Sequence, residues 1–178
     1  GLGWDFADWD APVVNGDGRK AGKHLQKFYV LKERLEKPDV KKNDIILVMD
    51  AADTLFAGTA DEILRRFLKK NTRLLISAEK AYTYQYQHLK KKFEDNNKEI
   101  GYKYINSGTY IGYADVLLEL ANACIALCCT KGKEDNQTVE MGILGMWVHT
   151  KIQNPRYLQI DGNCDIFWVT TDDTKMYL

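Results

Sequence analysis

The 178-residue chain is predicted to fold as one α/β domain with a mostly parallel sheet flanked by helices. Two continuous apolar runs, Ile45-Ile46-Leu47-Val48-Met49 and Leu74-Leu75-Ile76-Ser77, lack polar alternation, as strands covered by helices on both faces do. Around them lie segments in which apolar residues recur every three to four positions, the helical period. With 45% apolar residues, the length suits one sizeable core and falls short of two.

Residues 10–22 carry Pro12, Gly16, Gly18 and Gly22 among polar residues and read as a loop. Leu25, Phe28, Leu31 and Leu35 predict a helix over 23–36, which Pro38 stops. A second helix is expected over 59–70. Thr59 and Glu62 fit a capping box there, and Ile63, Leu64, Phe67 and Leu68 form its buried stripe. Residues 84–97 read as a polar helix, and 115–128 and 137–148 as apolar ones. Tyr104-Ile105 and Tyr110-Ile111 flank a small-residue turn, Asn106-Ser107-Gly108, and short strands are expected over 157–160 and 166–169.

Acids and bases balance at 25 each, so the chain lacks the concentrated basic face that nucleic acid requires. Lys90, Lys91 and Lys92 read as a solvated helix face. No apolar run approaches the ~20 residues needed to span a bilayer. No signal peptide is visible, and the opening Gly-Leu-Gly-Trp without Met is expected of a processed or truncated piece. Cys124, Cys128, Cys129 and Cys164 show no metal-ligand spacing and read as small buried apolar residues rather than disulfides. His24, His88 and His149 are too scattered to form a metal set.

Four segments could carry chemistry. In Val48-Met49-Asp50-Ala51-Ala52-Asp53, two acids stand at the carboxyl end of a strand, where open α/β sheets bind ligands. Asp50 and Asp53 could converge on a hard divalent cation, Mg²⁺ or Mn²⁺, bridging to a diphosphate. The alternative is a strand-end acid followed by a turn cap. Glu79, just past the second strand, could orient a sugar hydroxyl or simply begin a turn. Asn106, Ser107 and Gly108 suit a close backbone approach to a hydroxyl-rich ligand, or a plain tight turn. Glu134-Asp135-Asn136-Gln137 is either an acceptor-orienting acidic loop or ordinary helix capping. The sequon in Asn136-Gln137-Thr138 is discounted, because a glycan there would crowd the site.

In series, these segments resemble the glycosyltransferase domain of the procollagen lysyl hydroxylase family. The carrying residues are Gln26-Lys27, Leu31-Lys32-Glu33-Arg34-Leu35, Val48-Met49-Asp50-Ala51-Ala52-Asp53, Ser77-Ala78-Glu79, Asn106-Ser107-Gly108-Thr109-Tyr110-Ile111-Gly112-Tyr113-Ala114, Asp135-Asn136-Gln137 and Cys164-Asp165-Ile166-Phe167. The resemblance covers most of residues 24–168. It implies a GT-A-like fold that uses a UDP-sugar and Mn²⁺ or Mg²⁺ for hexosyl transfer to a hydroxylysine-linked acceptor on a collagen-like protein, in the endoplasmic reticulum lumen of the secretory pathway. The family's glucosyltransferase retains the donor's anomeric configuration. Asp50 and Asp53 fall on the aspartates that hold metal and diphosphate, Lys27 on a lysine of the nucleotide region, and Asn106, Ser107 and Gly108 on the sugar pocket. Asp135 falls in the acidic stretch tied to transfer, with Asn136 where a further aspartate is usual. Lys80-Ala81-Tyr82 replaces an aromatic-proline segment. The family's nucleotide-contacting first strand is expected before Gly1, and its third metal ligand, a histidine, after Leu178. A catalytically inactive, nucleotide-sugar-binding accessory module is the competing expectation.

Overall fold

The computed structural model describes residues 23–50, 54–84, 86–131 and 137–170. Helix α1 (Lys23–Leu35) leads into strand β1 (Ile45–Met49), helix α2 (Ala60–Lys69), strand β2 (Leu74–Glu79) and helix α3 (His88–Asn96). Strand β3 (Tyr104–Tyr113) then runs directly into helix α4 (Ala114–Lys131), followed by α5 (Gln137–Lys151) and a short β4 (Leu158–Ile160). The loop expected over 10–22 lies outside the described residues.

The four strands form one sheet in the order β1-β3-β2-β4. Strand β3 is antiparallel to both neighbours, and only β2–β4 is a parallel pair. The sheet is therefore mixed, which corrects the mostly parallel sheet expected from the sequence. The cause is β3: its ten residues run continuously where a turn between two strands was expected. Asn106-Ser107-Gly108 sits inside the strand, and its irregularity is absorbed as a register shift against β2 between Ile76 and Ala78.

Side chains alternate across each strand and so assign the two faces. Leu74, Ile76 and Tyr110 join Phe28, Leu117, Leu120 and Leu144 in the larger core, under α1, α3, α4 and α5. Leu75 and Ile111 face the other way, against Phe67 of α2 and Phe167. Every residue of β2 is buried, as its unbroken apolar run predicts. Strand β1 shares the apolar composition but lies at the sheet edge and is only half-buried.

Local signals explain most element ends. The Thr59 hydroxyl accepts the Glu62 N–H at 3.3 Å and so caps α2. Asn71, just past that helix, takes a left-handed φ of 50°, which its short polar side chain tolerates. The stripe expected on α2 is narrower than its spacing suggests: Phe67 is buried and Ile63 packs beside it, but Leu64 and Leu68 are exposed. Residues 166–169 form no strand. Instead the buried Asp161 carboxylate gathers the N–H groups of Asp165, Ile166 and Phe167 at 2.7–3.0 Å. Lys90, Lys91 and Lys92 are exposed and Cys124 is buried, as expected, whereas Cys164 is only half-buried. No helix among the described residues is long and apolar enough to cross a membrane.

Candidate functional site

Because β1 and β2 are both antiparallel to β3, they run parallel to each other and end at the same sheet edge. Asp50 follows the last residue of β1, and Glu79 is the last residue of β2. Between them runs the Asn106–Gly108 stretch of β3. The Asp50 N–H donates to the Gly108 carbonyl at 2.7 Å, which ties the acid to that strand. Asn106 folds back on its own strand, its Oδ1 accepting the Gly108 N–H at 2.8 Å. A Cβ at Gly108 would stand 2.9 Å from Asn106 Oδ1 and 3.3 Å from Asp50 Oδ2, so only glycine lets these two side chains come together.

Helix α1 delivers a cation to this edge. Lys27 is only 7% exposed, and its Nζ lies 3.4 Å from Asp50 Oδ1 and 3.3 Å from the Ser107 carbonyl oxygen. Its shortest charge contact, 2.7 Å, is to Oε1 of Glu140 on α5, a side chain 1% exposed. That oxygen makes no hydrogen bond of regular geometry among the described residues, so the contact is one of charge with charge. Burial pushes the Glu140 carboxyl above the usual carboxylate range, while the Lys27 ammonium and a hydrogen bond with the Ser107 side chain pull it back. The nearby Tyr110 hydroxyl is wholly buried without a hydrogen-bond partner among the described residues, and burial, reinforced by the Glu140 charge, pushes it well up.

On the β2 side, Glu79 is buried and both its oxygens are engaged. The Thr83 hydroxyl donates to Oε1 at 3.0 Å and Asn106 Nδ2 donates to Oε2 at 3.3 Å. Burial still holds its carboxyl above the usual range, against the pull of those two donors. Ser77 supports the same stretch, its hydroxyl donating to the Asn106 carbonyl at 3.0 Å.

The fold thus brings together Lys27 of α1, Asp50 just past β1, Glu79 of β2, and Asn106, Ser107 and Gly108 of β3. Asp53, Asp135 and Asn136 lie outside the described residues. Glu140 was missed by sequence reasoning. Its signal was present, since it is the only charged residue in the apolar stretch 137–148. Among the described residues no three His, Cys, Asp or Glu side chains gather for a metal. Among the described residues, Asp50 alone of the site's acids offers a carboxylate at the accessible edge, with its side chain 36% exposed. A hard-cation site here therefore takes Asp50 as one oxygen donor and needs others, for which Asp53 has the right chemistry.

Comparison with known proteins places this geometry in context. The family described as the PLOD GT domain matches residues 9–175. The chain is 27% identical to procollagen-lysine,2-oxoglutarate 5-dioxygenase 1 of Rattus norvegicus over 94% of its own length and 21% of that protein's. It is 31% identical to the Gallus gallus protein of the same name, covering 71% of this chain and 16% of the relative. Against the multifunctional procollagen lysine hydroxylase and glycosyltransferase LH3 of Homo sapiens, identity is 29% over 67% of this chain and 15% of the relative. The chain thus spans about a fifth or less of the length of these relatives.

Proposed function

The chain belongs to the PLOD GT domain family, and on that premise we propose that it is the donor-handling domain of a UDP-sugar-dependent hexosyltransferase assisted by Mn²⁺ or Mg²⁺. The acceptor would be a hydroxylysine-linked site on a collagen-like protein, encountered in the secretory pathway, in the endoplasmic reticulum lumen. The observation that carries this reading is the convergence of Asp50, Lys27, Glu79 and the Asn106–Gly108 backbone on one edge of the sheet, at the strand ends where open sheets bind ligands.

Each residue has a part in that reading. Asp50, with Asp53, would hold the cation, which when bound stabilises negative charge developing on the departing diphosphate. Lys27 stands beside Asp50, where its ammonium can meet a diphosphate oxygen. Asn106, Ser107 and Gly108 would line the sugar pocket, since Gly108 leaves room for close approach and Asn106 and Ser107 offer donors and acceptors. Glu79 accepts hydrogen bonds on both oxygens and so suits orienting a hydroxyl rather than moving a proton. Asp135 and Asn136 would face the acceptor, where a carboxylate can orient the incoming hydroxyl and steady an oxocarbenium-like centre.

One observation favours a second reading, a catalytically inactive module that binds a nucleotide sugar. Lys27 already lies against Asp50 and offsets part of the charge a cation would seek.

Calorimetric titration of UDP with and without Mn²⁺, on the wild type and on Asp50→Ala/Asp53→Ala, tests the site. Metal-dependent binding that is lost in the double variant is expected. Binding that ignores metal and both aspartates would remove the metal-assisted donor site. Binding of a UDP-sugar without turnover on any hydroxylysine-linked acceptor would favour the second reading.

A further inference from the structure

The charge arrangement behind Asp50 assigns a task to Glu140, and the inference rests on the donor-site reading above. Three charged side chains stand in a row from the core to the sheet edge: Glu140 at 1% exposure, Lys27 at 7% and Asp50 at 36%. The central ammonium divides unequally. It lies 2.7 Å from Glu140 and 3.4 Å from Asp50. Coulomb attraction grows as separation shrinks and as the surroundings dry out, and Glu140 is both the nearer and the more deeply buried acid. The row carries two negative charges and one positive. We propose that Glu140 is a positioning residue that draws the Lys27 ammonium inward, so that Asp50 keeps its negative charge for a divalent cation at the edge.

The neighbours fit this role. The Lys27 ammonium donates to the Ser107 carbonyl at 3.3 Å, so β3 holds it in place between the two acids. Lys27 is held from three sides, by Glu140, by Asp50 and by the Ser107 carbonyl. With a neutral side chain at 140, the ammonium has only Asp50 left as a charged partner among these contacts. It would then settle on the very carboxylate that a cation needs.

Mn²⁺ titrated into the protein by calorimetry, with free Mn²⁺ followed by electron paramagnetic resonance, tests this with and without saturating UDP. Three proteins are compared: wild type, Glu140→Gln, and Lys27→Met/Glu140→Gln. For Glu140→Gln the expected result is a loss of Mn²⁺ affinity of about tenfold, the lower end of what outer-shell partners of metal ligands contribute. Removing the ammonium as well should restore the affinity measured without UDP to at least the wild-type level, because the Lys27 ammonium no longer lies against Asp50. The comparison is made without UDP because Lys27 also serves the diphosphate. A merely structural Glu140 would not be rescued by a second core change. Should Glu140→Gln fail to fold, the double variant, with two neutral side chains of similar shape, carries the test alone. Weaker Mn²⁺ binding there than in wild type, both measured without UDP, would overturn the proposal. Wild-type affinity in Glu140→Gln would overturn it too while leaving the donor site intact. No Mn²⁺ binding by the wild type, with or without UDP, would overturn the donor-site reading and this inference with it.

Discussion

At the scale of single residues, the site is built from acids whose surroundings work against their charge. Glu79 shows the consequence for stability. Burial holds its folded-state carboxyl above the usual range, so the folded protein takes up this proton more readily than the unfolded chain. Its contribution to stability is therefore fully present below the unfolded value and is lost as pH rises through the raised folded value. Glu79→Gln removes that loss. Relative to wild type, the variant should gain thermal stability as the pH is raised from about 4 to 7, because it has no proton to lose over that range. Paired melting curves across that range check it, and a constant offset would contradict it. Gly108 shows the opposite economy: the missing side chain is what admits Asp50 and Asn106 to one place.

At the scale of elements, short segments are shaped by single polar groups as much as by apolar spacing. The stretch after β4 reads as a strand from Ile166 and Phe167, yet Asp161 bends it into a turn by accepting three backbone N–H groups. Lys70 stands 3.6 Å from the same carboxylate. Phe167 is thereby pressed into the smaller core beside Phe67. Asp161→Ala would strand those donors and loosen Phe167, and a loss of about 3 kcal/mol is expected, since each unsatisfied buried polar group costs 1–3 kcal/mol. Chemical denaturation measures it, and hydrogen exchange should accelerate first at Asp165, Ile166 and Phe167. Helix α2 teaches a related lesson: its cap formed where Thr59 and Glu62 indicate, but a helix that packs only by Phe67 and Ile63 leaves Leu64 and Leu68 at the surface.

At the scale of the whole molecule, helices α1, α3, α4 and α5 crowd one face of a four-stranded sheet, and the contacts of α5 are set by its glycines. A Cβ at Gly142 would fall 2.3 Å from Tyr86 Cδ2, an impossible approach, whereas one at Gly145 would meet Leu89 and Tyr84 at 3.3–3.5 Å. Gly142→Ala should thus lower stability by up to about 2 kcal/mol, the overpacking cost less the helix gain. Gly145→Ala should be neutral or raise it by up to about 1 kcal/mol. Melting temperatures of the two variants compare them directly, and equal effects would mean that Tyr86 does not pack on α5 as described.

Residue order alone was enough to mark the helices that begin near Lys23, Ala60, Ala114 and Gln137, both apolar strands, and the acid at the carboxyl end of each strand, because helical period, capping and unbroken apolar runs are local properties. The same order marked Asn106-Ser107-Gly108 as suited to close backbone approach or to a tight turn, without showing that it lies within a strand. Small residues suit a turn and a close-packed strand equally well, and only pairing with β1 on one side and β2 on the other decides between them. That pairing also decides sheet direction, since apolar runs say where a strand lies and not which way its neighbour runs. The Lys27–Glu140 contact belongs to the same class. The two residues stand far apart in the chain, and a charge inside an apolar helix reveals its purpose only when another helix brings the opposite charge to within 2.7 Å.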